Sequence, residues 1–376
     1  MRRRLLPILA LLILAAGAAF WWWTRPLPVL NIVTWPGLYG RAQAAAQILP
    51  YGTARRVDAR IQQWAANGTL DELRSFITAH RADVVDLELP VAAAACKAGL
   101  LESIDSAALL PGDDGTEAQK DFYKGMIGPC FAASAVYGQM IVCWKPCRHS
   151  LAELFQEARR NPGPPPGQKP SFDTLMALTA QNRKIGLQRT AKITLEMALL
   201  ADGVNPDEVY SLLATDAGVA RAFATLDSIK PNIVWWRAAS EPAQLLRSRQ
   251  VVATTMLTAD AQATAGNSDL SALGTLFYEA DVLAIPKGGA NRERALDYLH
   301  YATGTLPLAN MVKFAPYAPP RRSARAMVAA LPSSPTRDFV MGQGDALDHG
   351  FAIDDIFWAE HGSVLEARFR AWMDRP

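Results

Sequence analysis

Three observations predict an α/β fold of two lobes with a cleft between them. Short apolar runs alternate with helix-like stretches along most of the chain, the pattern of strand–helix units and largely parallel sheets. The chain has 376 residues, above the ~250–300 at which single cores divide. Half of its residues are hydrophobic and 20% are charged, which excludes disordered and low-complexity scaffolds.

The elements follow in order. Residues 29–35 (VLNIVTW) read as a buried strand stopped by Pro36 and Gly37. Helical stretches follow at 40–48 and 69–80, where Thr69 and Glu72 have capping-box spacing. Residues 82–89 (ADVVDLEL) make a second strand, and the alanine-rich helix 91–98 stops at Gly99. Residues 131–136 and 139–144 flank Tyr137 and Gly138 and read as a hairpin or two adjacent strands. The proline-rich stretch 161–170 is a surface loop rather than a ligand motif. Beyond it come a strand at 184–187 and helices at 190–200, 207–213 and 217–226. Strands at 232–236, 251–256 and 282–285 follow, then helices at 292–302, 322–330 and 362–373. A chain that passes through one lobe, a second and back again places a ligand cleft between them.

The N-terminus sets the compartment. Arg2, Arg3 and Arg4 precede an apolar run over residues 5–23. This is a secretory signal with Ala16-Gly17-Ala18 as a cleavage site, or an uncleaved inner-membrane anchor with Trp21, Trp22 and Trp23 at the far interface. Both readings put everything after about Pro28 outside the cytoplasm, in the periplasm. Removing residues 1–18 leaves 35 basic against 36 acidic residues, so the exported body is close to neutral. That balance gives no footprint for nucleic acid. Export also changes the meaning of Cys96, Cys130, Cys143 and Cys147, which can pair in three ways in an oxidising compartment or remain buried thiols.

Catalytic motifs are absent from the sequence. His80, His149, His300, His349 and His361 have no metal-ligand spacing, and there is no G-x-S-x-G, H-E-x-x-H, C-x-x-C or phosphate loop. No cofactor is implied. Instead, aromatics and acids gather at strand ends: Trp35, Glu88, Asp260, Glu279, Asp281 and, in the turn FAPYAPP, Tyr317. Ligands of α/β sheets bind where such loops converge. Carboxylates and ring faces together suit an organic cation.

From Leu30 onward the chain resembles the extracytoplasmic solute-binding proteins of ABC importers, in the spermidine/putrescine-binding group. The matching stretches are LNIVTWPG (30–37), ADVVDLELP (82–90), AGLLESID (98–105), VYGQMIVCWKP (136–146) and EMALLADGVNPDEVY (196–210). LDSIKPNIVWW (226–236), ADVLAIPKGG (280–289), FAPYAPP (314–320) and FWAEHG (357–362) continue the match. The resemblance implies a type II periplasmic binding fold whose lobes close about a hinge. Crossing strands would lie near 140–145 and 276–281, with 29–142 and 281–320 in one lobe and 143–280 and 321–376 in the other. It implies a monomer that carries a polyamine or other cationic solute to a membrane permease. A membrane-tethered sensor and an exported enzyme using the same cleft are the alternatives.

Carried over by position, Trp35 packs on the ligand's alkyl chain, Asp281 holds an amine, Tyr317 lines the pocket and Asp260 is an acid of putrescine-binding relatives. Glu88 stands where relatives carry serine, and a cysteine pair in one branch of the group favours a Cys96–Cys130 bridge. Some positions depart from the group. Its second-lobe acidic pair falls on Thr190 and Ile193, an aromatic before Asp260 is Leu257, and the polar residue after Trp35 is Pro36. Glu88 and Glu279 replace the lost charge, or the ligand carries a different charge pattern.

Overall fold

The structure, a computed structural model, describes residues 25–64, 70–144, 151–159, 184–265, 270–342 and 350–375. The apolar N-terminal run, the 161–170 loop, Thr69 and Cys147 lie outside the described residues. Among the described residues no helix is long and apolar enough to cross a membrane.

One mixed sheet runs through both lobes. Its strands are β1 (Val29–Thr34), β2 (Asp58–Gln63), β3 (Val84–Glu88), β4 (Ile127–Gly128), β5 (Phe131–Trp144), β6 (Ile185–Gln188), β7 (Ile233–Trp236), β8 (Ala253–Leu257), β9 (Leu270–Ala284) and β10 (Phe351–Ala352). The order is β2-β1-β3-β9-β5-β8-β6-β7. Each end is a parallel trio, β2-β1-β3 and β8-β6-β7. The long antiparallel pair β5 and β9 joins them. This is the two-lobed α/β architecture that the alternation predicts.

The crossing strands are longer than the sequence suggests. Residues 282–285 were expected as a short strand, yet β9 extends back to Leu270. Tyr137 and Gly138 were expected to separate two strands, yet β5 runs through them unbroken. Gly138 is needed for close approach, not for a turn: a Cβ there would lie 1.9 Å from the Phe277 carbonyl oxygen. Along β9, residues 281–284 face β3 of the first lobe. Along β5, residues 139–143 face β8 of the second. The chain therefore changes lobe between about 136 and 139 on β5 and between 277 and 281 on β9.

The helices cover the sheet with apolar faces. The stretch Gly37–Arg55 is continuous but carries a π turn at Ala44–Ile48. Pro50 follows at once; its missing N–H leaves a carbonyl of the preceding turn without its usual partner, and the wider turn accommodates this. Leu30, Ile32, Val84, Val85, Tyr298 and Leu299 sit in the first core. Leu187, Leu195, Phe155, Phe369 and Trp372 sit in the second, to which the helix Asp355–Met373 brings its aromatic face. That helix also packs beside Leu89–Lys97 of the first lobe, so the lobes touch.

The segment just beyond residue 320 packs on elements of the first lobe. Arg321, 1% exposed, is ion-paired with Asp121 and donates to the carbonyl oxygens of Thr303 and Leu110. The helix Arg322–Ala330 packs on Thr305–Met311. Cys96, near the end of its helix, is bonded to Cys130 just before β5, with Cα atoms 5.8 Å apart. Cys143 is also in a disulfide.

Candidate functional site

The candidate site lies where the crossing strands leave the first lobe. Strand pleating puts alternate residues on one face, and antiparallel register sets Glu88 directly opposite Asp281. Glu279, two residues earlier on β9, lies on the same face, opposite Tyr137 of β5. Three carboxylates of the expected set thus share one sheet face at the crossing.

Trp35 and Tyr317 meet at the edge of this face. Both pack on a small cluster made by Tyr39, Ala42, Ala46, Ala135, Met311 and Ala315. The turn carrying Tyr317 is pinned to β5 by a two-way bridge, Val136 N–H to Ala318 O at 2.9 Å and Ala318 N–H to Val136 O at 3.0 Å. The Tyr317 ring stands edge-on to Tyr39, with centroids 5.3 Å apart. Trp35 comes close to the following helix because Gly40 has no Cβ; one placed there would fall 2.0 Å from the Trp35 carbonyl oxygen.

Asp260 is not in a loop. It lies in the first turn of a helix, Thr258–Ala265, that directly follows β8. Burial raises its carboxyl above the usual range. Its charge reaches Tyr317, whose hydroxyl is pushed up to about 12 by burial and then by Asp281 and Asp260. Burial also raises Glu88, with the neighbouring charge of Glu279 acting the same way and Lys192 opposing both. Asp281 and Asp260 thus act on Tyr317, and Glu279 and Lys192 act on Glu88.

The second lobe contributes something the sequence reading missed. Thr190 and Ile193, where the polyamine-binding pattern would have acids, are both occupied structurally. The Thr190 hydroxyl and the Ala191 N–H donate to Glu366 Oε1 of the C-terminal helix, at 2.5 and 2.6 Å. Ile193 is buried and sits at φ 72°, a strained conformation for a β-branched residue and one that concentrates at functional sites. It delays the helix expected from 190, which begins only at Thr194. Between them, Lys192 reaches across to form an ion pair with Glu279. A loop lysine has no motif, and only its neighbours in space reveal it.

A second missed group lies behind the aromatics. Asp86, fully buried, accepts hydrogen bonds from the Tyr39 hydroxyl (2.7 Å), from Gln43 Nε2 and from Ser134 Oγ (3.4 Å). It lies two residues before Glu88, so period-two reading of ADVVDLELP places both on one face. Gln139 of β5 and Gln188 of β6 are hydrogen-bonded to each other where the crossing meets the second lobe. No group of residues suited to holding a metal occurs among the described residues. The arrangement can hold a small charged molecule: ring faces for an alkyl chain, carboxylates for an amine, and one lysine for an anion.

Comparison with known proteins gives the same architecture. The model of a family described as bacterial extracellular solute-binding protein matches residues 51–336. A gamma-aminobutyric acid-binding protein of Pseudomonas aeruginosa is 29% identical over 360 residues, covering 92% of this chain and 91% of that protein. The solved structure of a GABA receptor superposes with a TM-score of 0.67 at 23% identity, over 92% of this chain and 98% of that one. A spermidine/putrescine ABC transporter substrate-binding protein from Streptococcus pneumoniae superposes with a TM-score of 0.66 at 13% identity, over 92% and 100%.

Proposed function

This chain belongs to the bacterial extracellular solute-binding protein family, and from that premise we propose that it captures a small zwitterion, an amino acid whose amine and carboxylate stand several bonds apart. It acts outside the cytoplasm and delivers the solute to an ABC permease, with no bond made or broken. The observation that carries the ligand class is Lys192 paired with Glu279 beside Glu88. A diamine would press its second ammonium against that lysine. Two like charges ~4 Å apart cost about 4 kcal/mol at an effective dielectric of ~20. A zwitterion instead offers its carboxylate to Lys192 and its ammonium to Asp281 and Glu88, with its methylenes against Trp35. The name of the Pseudomonas relative supports this ligand class over a polyamine. Closure of the lobes excludes water and strengthens both charge pairs.

The test is a calorimetric and thermal-shift panel of γ-aminobutyrate, 5-aminovalerate, putrescine and spermidine on the exported domain. The ω-amino acids should bind and raise the melting temperature, as any ligand of the folded state does. Lys192→Met should weaken γ-aminobutyrate about 10- to 100-fold, the worth of a charge-assisted hydrogen bond, and should not weaken putrescine. A strong polyamine response that Lys192→Met leaves unchanged, with none from amino acids, would overturn the proposal.

A further inference from the structure

Asp86 has no route to the cleft, yet it is one contact removed from two groups that line it. The Tyr39 hydroxyl that donates to Asp86 belongs to the ring that stands edge-on to Tyr317. Ser134 Oγ lies 2.7 Å from that same hydroxyl and reaches the backbone carbonyl of Asp281 at 3.1 Å. Ser134 sits where the pairing of β5 with β9 shifts register, between Ala133 and Ala135. It is aimed out of the regular ladder and into this cluster.

We propose that Asp86 is the positioning residue of the cleft, fixing Tyr317 through Tyr39 and the Asp281 backbone through Ser134 without touching the ligand. This rests on the cleft reading above. Burial of an acid without a basic partner is unfavourable unless hydrogen bonds offset it. Its partners are all neutral donors: Tyr39, Gln43 and Ser134 hold Oδ2, and the Trp35 indole also favours its charged form. The titratable groups facing it are Tyr39 on the Gly37–Gln43 helix, Tyr298 on Arg292–Ala302 and Asp281 on β9.

The single proton of Ser134 explains how the charge would be transmitted. It has three acceptors within reach: the Tyr39 oxygen, Asp86 Oδ2 and the Asp281 carbonyl. A charged Asp86 holds the Tyr39 proton, and Ser134 is then free to serve Asp281. A neutral Asp86 becomes a donor itself, Tyr39 turns its proton to Ser134, and the charge-assisted bond that holds the Tyr39 ring against Tyr317 is replaced by neutral ones. Burial lifts the Asp86 carboxyl to about 7, against the pull of Tyr39, Gln43, Ser134 and Trp35. The change therefore falls near neutral pH.

The experiment has two arms on the exported domain. In the first, without ligand, the tyrosine rings are 13C-labelled and the Tyr317 signal, identified by its loss in Tyr317→Phe, is followed from pH 5.5 to 8.5. The signal should move with a near-neutral midpoint in the parent and stay still in Asp86→Asn. In the second, γ-aminobutyrate binding is measured over the same range. Asp86→Asn and Tyr39→Phe should each bind about tenfold more weakly than the parent at pH 8, one hydrogen bond's worth, and the gap should narrow by pH 6. If Asp86→Asn does not fold, Tyr39→Phe carries both readouts. A Tyr317 signal that titrates identically in the variants, or affinities parallel to the parent at every pH, would overturn the proposal. Failure of the parent to bind γ-aminobutyrate would remove the proposed ligand and leave the first arm to decide.

Discussion

Replacing Glu196 with glutamine should make the protein more stable at neutral pH. Glu196 is fully buried and accepts from the Trp358 indole N–H at 2.6 Å and the Tyr210 hydroxyl at 3.2 Å. Tyr210 in turn accepts from the Asp354 N–H at 2.8 Å. The acid thus ties the Thr194–Ala201 helix to the start of the C-terminal helix. Burial raises its carboxyl from the ordinary 4.5 to about 7, against the hydrogen bonds that favour the charge.

The sign follows from proton linkage. Between about pH 4.5 and 7 the native state holds a proton that the unfolded chain has released, so stability falls as pH rises through this window and is level above it. At about 1.4 kcal/mol per pH unit, the loss is roughly 3 kcal/mol. Glutamine keeps an acceptor for Trp358 and Tyr210 and never takes a charge. Urea unfolding, followed by tryptophan fluorescence for parent and Glu196→Gln from pH 4.5 to 8, should give curves that coincide at the acid end. They should separate by roughly 3 kcal/mol in favour of the variant by pH 7.5. Other raised acids, such as Asp86, titrate in both proteins and cancel in the difference. Parallel curves, or a variant less stable than the parent at pH 7.5, would refute the reasoning.

Three further changes test the frame around the cleft. Arg321→Met should cost about 3–5 kcal/mol in urea unfolding, because it strands Asp121 as a buried, unpaired charge; a loss under about 1 kcal/mol would contradict the burial of the pair. Cys96→Ser with Cys130→Ser should cost about 2–4 kcal/mol, as expected for opening a loop with a sequence separation of 34 residues, and the loss should match that produced by reducing this bridge alone. Gly138→Ala should lose at least about 2 kcal/mol by driving a methyl group into the Phe277 carbonyl. A neutral result there would mean that β5 and β9 do not cross so closely.

Much of the fold was legible because apolar periodicity reports burial, and burial is what packs strands against helices. The runs at 29–35, 82–89 and 232–236 lie within a residue or two of β1, β3 and β7. The runs that misled were those in which one residue type has two uses. Gly138 reads as a turn, yet its missing side chain serves a strand contact between residues 139 positions apart. The edge strand β2, half exposed and carrying Asp58, Arg60, Gln62 and Gln63, has no apolar run to betray it. Among the candidate residues, the acids and aromatics were visible because they flank apolar runs, although Glu279 and Asp281 lie inside β9 and Asp260 in a helix. Lys192 and Asp86 were not, since the role of each depends on a partner brought close only by folding.

The lysine also changes what the acids can do. Glu88 is raised partly by Glu279 and held down by Lys192, so one cation on the second lobe governs two carboxylates at the crossing. A ligand carboxylate that draws Lys192 away leaves Glu279 and Glu88 facing each other with less neutralisation. That cost is offset only if the same ligand brings an ammonium into their field. An ammonium alone must compete with Lys192, and a carboxylate alone exposes the acids to one another. The two poles of the cleft are therefore coupled, and a molecule carrying both charges gains more than the sum of two molecules carrying one each. On the proposed function, selectivity for a zwitterion rests on a single ion pair between the second lobe and the crossing strand.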